Sequence, residues 1–179
     1  VVMVVRGIVR LSKEGVGQRL QIIRLLKPYD TFGYRSAMAG DSHSTSATAL
    51  EPTILYYVER DAFLEVIQKN IKFCYAVLVA MSKDLGISET QTVNLTQKHI
   101  RGRLAETLIT LKNTYGLDGD GATIAMYIAR EDLANMSNMT TSNAIRTLSQ
   151  FASEGLISLD GRKIKLLDES ELTRISRLG

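Results

Sequence analysis

The sequence holds one cysteine, Cys74, and two histidines in 179 residues. A single thiol excludes an internal disulfide framework and a cysteine-ligated iron–sulfur cluster, and it fits a reducing, cytoplasmic compartment. No apolar run approaches the roughly 20 residues that a membrane-spanning helix needs, so no membrane partner is expected, and no signal peptide is visible. The motifs of common catalytic chemistry are missing as well: there is no glycine-rich phosphate loop, no metal-ligand cluster and no nucleophile elbow. So few His and Cys leave little for acid–base or covalent chemistry, and an enzyme is not expected. Charge of one sign is scarce too. The net charge is +3, yet residues 99–179 carry 10 Lys+Arg against 10 Asp+Glu. Any basic patch must therefore be local.

What is present is an ordinary globular composition, 45% hydrophobic and 23% charged, with enough chain to bury a core. From Val1 to about Val58 the pattern is short β-rich runs broken by turn residues. "VVMVVRGIVRLS" has β-branched residues on both sides of Gly7, "LQIIRLL" follows the polar tip "KEGVGQ", and "SATALEPTILYYVE" gives two short strands around Pro52. Such runs predict antiparallel strands in a β-roll. At Asp61 the period changes. "RDAFLEVIQKN" predicts a short helix ending near Asn70, and a long helix follows from Ile71 to about Gln97. Within it Cys74, Leu78, Met81, Leu85, Ser88, Thr92 and Leu95 alternate steps of four and three, a heptad seam suited either to its own domain or to a second chain. Gly86 is a weak point, costing about 1 kcal/mol relative to Ala in a helix interior.

From His99 to Tyr115 a further amphipathic helix is predicted, with Leu104, Leu108 and Leu111 on one face, closed by the turn chemistry of "GLDGDG". "ATIAMYIA" reads as a short strand and "REDLANMS" as a short helix opened by Arg130, with Glu131 and Asp132 at its positive end. The next stretch, "NMTTSNAIRTLSQFASEGLISLDGRKIKL", is the most informative. Thr140 suits the N-cap of a helix running to about Ser153. Ala144, Leu148, Phe151 and Ala152 form its buried face, while Thr141, Ser142, Asn143, Arg146, Thr147 and Gln150 form a polar face with no acid before Glu154. Gly155 suits a left-handed stop, and Asp160-Gly161 signals a hairpin whose second strand carries Arg162, Lys163 and Lys165. A short helix, a turn, a second helix with a polar face and a basic β-wing make a winged helix-turn-helix. Such a second helix enters the DNA major groove, with hydroxyls and helix N-termini on phosphates and Arg146 suited to a bidentate bond with guanine.

The order of these parts resembles the Crp/Fnr family of bacterial transcription regulators, over essentially the whole chain. "VVRGIVRLS" looks like the family's strand with its central glycine. "LLKPYDTFG" resembles its glycine-aspartate turn, with Tyr29 where glycine is usual. "LTQKHIRGRLAETLITL" resembles the segment entering the DNA-binding domain, and the stretch from Arg130 to Leu166 resembles the helix-turn-helix and wing. The resemblance implies an α+β fold: a jelly-roll-like β-roll sensor domain (1–70), a long dimerisation helix (71–98) and a C-terminal winged helix-turn-helix (99–179). It also implies a few dozen residues before Val1 that hold the first strands of the roll, and a hinge over His99 to Gly102. Double-stranded DNA with a two-fold symmetric operator, a second copy of the chain and RNA polymerase are the implied partners.

Carried over residue by residue, Thr140 falls on a phosphate-binding hydroxyl, and Thr141, Ser142 and Arg146 fall on base-reading positions. Arg130, Asn143, Arg162 and Lys163 complete the expected DNA surface. Members that bind cyclic AMP hold it through glycine-glutamate and arginine-serine pairs. Here Gly33 matches, Tyr34 replaces the glutamate, and Ser44 and Thr45 replace arginine-serine; Arg35 lies nearby, and on the long helix Ser88 keeps a hydroxyl while Glu89 adds a charge that repels phosphate. Losing the arginine removes the strongest phosphate contact. The resemblance therefore implies an effector other than cyclic AMP, or none. A haem sensor of the same fold is an alternative, with His43, Cys74, His99 and Met38 as candidate ligands, though none forms a spacing that demands a metal. A ligand-binding regulatory module without DNA function is the alternative from another class.

Overall fold

Gly7 separates the first β-rich run into two strands, β1 (Val2–Arg6) and β2 (Val9–Glu14). It takes φ +93°, and a Cβ there would lie 2.5 Å from Thr53 Oγ1 and 2.9 Å from the Pro52 carbonyl oxygen, so only glycine fits. The computed structural model describes all residues, Val1–Gly179, and they divide into two compact units, Val1–Thr90 and Gln91–Gly179.

In the first unit β3 (Leu20–Leu26), β4 (Thr31–Phe32), β5 (Ser46–Ala49) and β6 (Ile54–Tyr57) join β1 and β2 in two antiparallel three-stranded sheets, ordered β4-β1-β6 and β3-β2-β5. Val4, Val9, Leu11 and Leu26 are buried together with Phe32 against them, the interior expected of alternating strands in a β-roll. Tyr29, in the turn before β4, takes φ +74° although it has a side chain to accommodate. This is the position where the family resemblance leads one to expect glycine. Its N–H donates to the Val4 carbonyl at 2.7 Å, which holds the left-handed turn in place.

Between β4 and β5 a six-residue helix, α1 (Tyr34–Ala39), occupies sequence that carries no helical periodicity of its own. After α2 (Arg60–Lys69) comes α3 (Ile71–Gln97), 27 residues long. Tyr34, Ala37 and Phe63 form a second small core, and Val77 and Met81 of α3 pack against it. No helix of the chain is long and apolar enough to cross a membrane.

In the second unit α4 (Ile100–Tyr115), α5 (Arg130–Met136) and α6 (Thr141–Ser153) are followed by a hairpin of β7 (Ile157–Asp160) and β8 (Lys163–Leu166) and by α7 (Glu169–Leu178). Leu104, Leu108, Leu111, Leu133, Leu148 and Phe151 are essentially inaccessible and form its centre. Gly102 lies inside α4, and a Cβ on it would come within 2.6 Å of the Gly179 backbone, so the residue permits a close approach of α4 to the end of α7. The break between α3 and α4 falls at Lys98 and His99 instead.

Two local expectations are corrected. "ATIAMYIA" is not a strand. Only Thr123 and Ile124 bridge to neighbours, and the ladder on β8 stops because the Ala125 N–H turns back to the Gly116 carbonyl at 3.1 Å. The hairpin loop is Gly161-Arg162, one residue later than the Asp160-Gly161 signal, because Asp160 pairs with Lys163. Gly161 supplies the positive φ of +54° at the first loop position, as a glycine-first two-residue turn requires.

Candidate nucleic-acid interface

Helix α6 begins at a working cap. The Thr140 hydroxyl oxygen accepts from the Asn143 N–H at 3.2 Å, which leaves the hydroxyl hydrogen for an outside acceptor. Along α6, Ala144, Leu148 and Phe151 are sunk in the core and Ala152 is half-buried. Thr147, expected on the polar face, is buried as well: it follows Ala144 by three residues and adjoins Leu148, which widens the inward stripe. What remains outside is Thr141, Ser142, Ile145, Arg146, Ser149, Gln150 and Ser153. Arg146 donates to the Asn143 amide oxygen at 2.8 Å, so its guanidinium is held along the helix with further N–H groups free to face a ligand.

The turn before α6 is tied down by a residue that sequence reading passed over. Arg103 of α4 donates to the carbonyls of Ser137 (2.8 Å) and Asn138 (3.1 Å) in the turn. The same guanidinium donates to the Lys98 carbonyl (3.0 Å), just past the end of α3. Asn138 there takes φ +48°, and the Ser137 and Thr107 hydroxyls bond each other at 2.8 Å beneath it. The α3–α4 junction carries a second fastening, since Glu106 accepts from Asn94 (2.8 Å) and Lys98 (2.7 Å). At the far end of α6, Arg101 lies over the Phe151 ring at 4.7 Å and bonds Glu154 through both terminal nitrogens, one of them at 2.8 Å. That hydrogen-bonded guanidinium holds the Glu154 carboxyl below the ordinary carboxylate range.

The wing is braced in the same way. Arg130 donates to the Gly161 carbonyl at 2.7 Å, and burial lowers its pKa from the ordinary arginine value. Lys163 sits over the Tyr127 ring at 5.3 Å, and Tyr127 donates to Asp118 at 2.8 Å. Lys165 pairs with Asp120 at 3.3 Å. Asp120 also accepts the Thr123 and Ala122 N–H groups, and these bonds hold its carboxyl well below the usual range. Arg162 stands in the hairpin loop itself. A polar helix face, a capped N-terminus and a braced basic hairpin together present what a duplex backbone and major groove require.

Residues 102–175 match the Crp-like helix-turn-helix domain family, and residues 1–70 match the cyclic nucleotide-binding domain family. The chain belongs to the Crp/Fnr family. It is similar to the CRP-like cAMP-activated global transcriptional regulator of Mycobacterium tuberculosis, 22% identical over 98% of this chain and 79% of that protein. It is also similar to the nitrogen fixation regulation protein FixK of Azorhizobium caulinodans, 26% identical over 98% of this chain and 71% of the relative. Among solved structures, FixK2 from Bradyrhizobium japonicum superposes with a TM-score of 0.86 at 25% identity, covering 97% of this chain and 85% of its own. This Crp/Fnr protein is therefore a DNA-binding transcription regulator.

In the first unit of the Crp/Fnr chain, Gly33, Tyr34, Arg35, Ser44 and Thr45 line one cavity of about 350 Å³, together with His43, Arg24 and Asp84. Ser88 and Glu89 do not line it; they lie further along α3, exposed. Asp84, reaching in from α3, accepts from Arg24 at 2.7 Å and from the Tyr34 hydroxyl. Burial and the bond to Asp84 push the Tyr34 phenol up. Arg35 touches Ser44 (3.3 Å), Ser36 (3.4 Å) and Asp41 (3.5 Å). A second, apolar cavity of about 450 Å³ shares Tyr34 and is lined by Met3, Tyr56, Phe63, Phe73 and Val77 among others. Met38 is on α1, His43 in the loop after it, Cys74 on α3 and His99 in the second unit; no group of His, Cys, Asp or Glu is assembled to hold a metal ion.

Of the seam residues, Leu78, Leu85, Ser88 and Thr92 are exposed, and Cys74 and Leu95 are half-buried. Met81 instead faces the small core of its own unit, beside Val77.

Proposed function

We propose that this regulator acts as a homodimer on a two-fold symmetric operator, with residues 1–70 as sensor, 71–98 as dimerisation helix and 99–179 as reader, in the cytoplasm. The observation that carries the reading is the outward face of α6: hydroxyls, one amide, one isoleucine and one oriented arginine, with no acid, opposite the buried stripe of Ala144, Thr147, Leu148 and Phe151. Thr141, Ser142 and Arg146 read bases; Thr140, Asn143, Arg130, Arg162 and Lys163 position the backbone. Leu78 and Leu85 meet their counterparts in the second chain. A symmetric dimer places its two α6 helices in successive major grooves about 34–36 Å apart.

The effector, where one acts, is not cyclic AMP. In the first cavity the Arg24 guanidinium is already paired with Asp84 and Tyr34, and Arg35 has three neighbouring acceptors. A cyclic phosphate entering there would meet the Asp84 carboxylate and no unpartnered cation, which is unfavourable electrostatics for an anion. A change of occupant or packing around Tyr34 and Asp84 acts directly on α3, and this is the route by which the sensor resets the dimer.

Selection from a random duplex library with the full chain at moderate salt tests the reader. The proposal predicts an enriched palindrome whose affinity falls at least tenfold in Arg146→Ala, the loss of one bidentate base contact. A protein that enriches no sequence contradicts it. Titration calorimetry with millimolar cyclic AMP tests the effector reading; saturable binding that alters operator affinity overturns it.

A further inference from the structure

Helix α6 has three large apolar side chains, and two of them, Leu148 and Phe151, are essentially inaccessible. The third, Ile145, is 49% exposed. It lies four residues after Thr141 and three after Ser142, and adjoins Arg146, so it stands among the hydroxyls and the arginine on the outward face. Isolated exposed apolar side chains are ordinary over most of a protein surface. Here the side chain occupies the middle of the surface that enters the groove, where any short polar residue would satisfy the fold equally well.

The floor of the major groove offers donors and acceptors at every base pair but only one apolar feature, the C5-methyl of thymine. An isoleucine pressed against any other base edge would desolvate polar groups without bonding them, which is costly. Pressed against a methyl, it removes apolar surface from water on both sides. We propose that Ile145 is a specificity-determining residue that contacts the C5-methyl of one thymine in each half-site. The inference rests on the reading of α6 as the recognition helix. It adds apolar readout to the polar readout of Thr141, Ser142 and Arg146, and it makes the operator methyl-dependent at one position.

The test uses the full chain and the palindrome enriched by library selection. Each thymine is replaced in turn by uracil, which removes the methyl and keeps the base pairing. One position per half-site is expected to lose affinity about three- to fivefold, the fold-change that one buried methyl is worth. In Ile145→Ala that sensitivity disappears, so thymine and uracil operators bind alike, whereas Arg146→Ala retains it. Because Ile145 is half-exposed, thermal unfolding of Ile145→Ala should match the wild type, which separates lost readout from lost folding. A wild type indifferent to every uracil, or an Ile145→Ala variant that keeps the discrimination, overturns the inference and leaves the recognition helix intact. Failure to enrich any operator overturns both.

Discussion

In α6 the apolar stripe is consumed within the chain. Ala144, Leu148 and Phe151 are buried in the second unit, where α6 packs against α4 and α5, and the residues left outside are chiefly polar. In α3 no residue is buried, although the helix is twice as long and richer in apolar side chains. Leu78 is 52% exposed and Leu85 61%, with Gly86 beside the latter. A helix of that kind gains little from its own chain, and in proteins most helical stability comes from packing an apolar face. The difference teaches where uncovered apolar surface lies: the core beneath α6 is complete in one chain, whereas α3 leaves Leu78 and Leu85 uncovered, as the proposed dimer requires.

The sharpest way to break this contrast is the same truncation in both helices. Leu148→Ala should cost about 2–5 kcal/mol, because it opens a cavity in a packed core. Leu85→Ala should leave the midpoint of each unit almost unchanged in chemical denaturation while weakening self-association in sedimentation. Equal costs at the two positions would mean that α3 is supported by its own chain. Next in size is Arg103→Ala. It strips the donor from two carbonyls in the turn before α6 and from the Lys98 carbonyl at the α3–α4 junction, and a loss of about 1–3 kcal/mol is expected. Arg103→Lys should not restore it, since an ammonium cannot reproduce the planar fork; operator affinity should fall with stability in both variants.

A smaller effect of opposite sign is expected in the first unit. Tyr29 is 81% exposed and held at φ +74°, so Tyr29→Gly relieves backbone strain and loses little packing. Thermal unfolding should show a gain of about 1 kcal/mol. The smallest effect is pH-linked. Glu154 has its folded pKa depressed below its usual 4.5 by Arg101. Its contribution is therefore present above that usual value and lost as pH falls through the depressed one. The pair is partly exposed, so the advantage of wild type over Glu154→Gln should be only a few tenths of a kcal/mol. It should be seen in melting at pH 7 and shrink as the pH is lowered below 4.5.

The legible parts of the molecule were those with a local period or a local turn. The strand breaks at Gly7 and Pro52, the long helix from Ile71, the Thr140 cap and the hairpin all follow from neighbours within a few residues. Helix α1 was not legible, since six residues give no period to detect. Helix α7 left a readable signal: Asp168 and Glu171 form the start of a capping pattern, and the Asp168 carboxylate does accept the Glu171 N–H at 2.9 Å. Thr147 and Ile145 were misplaced or overlooked because a helical wheel gives the centre of a buried stripe better than its edges. Arg103 was invisible for a different reason. Its partners at Ser137 and Asn138 lie 34 and 35 residues away, and no pattern in one sequence joins them. Of the effector cavity, the sequence pointed to the Gly33–Thr45 wall; Arg24 and Asp84, which fill it electrostatically, come from a strand and a helix far apart in the chain.

The central claim is that two copies, joined along α3, read one operator. The most direct measurement is the mass of the full chain bound to its selected duplex, by sedimentation or native mass spectrometry. The account predicts two chains per duplex, and with Leu78→Asp and Leu85→Asp together a fall to one chain and a large loss of affinity. A single wild-type chain occupying the operator at full affinity would contradict it.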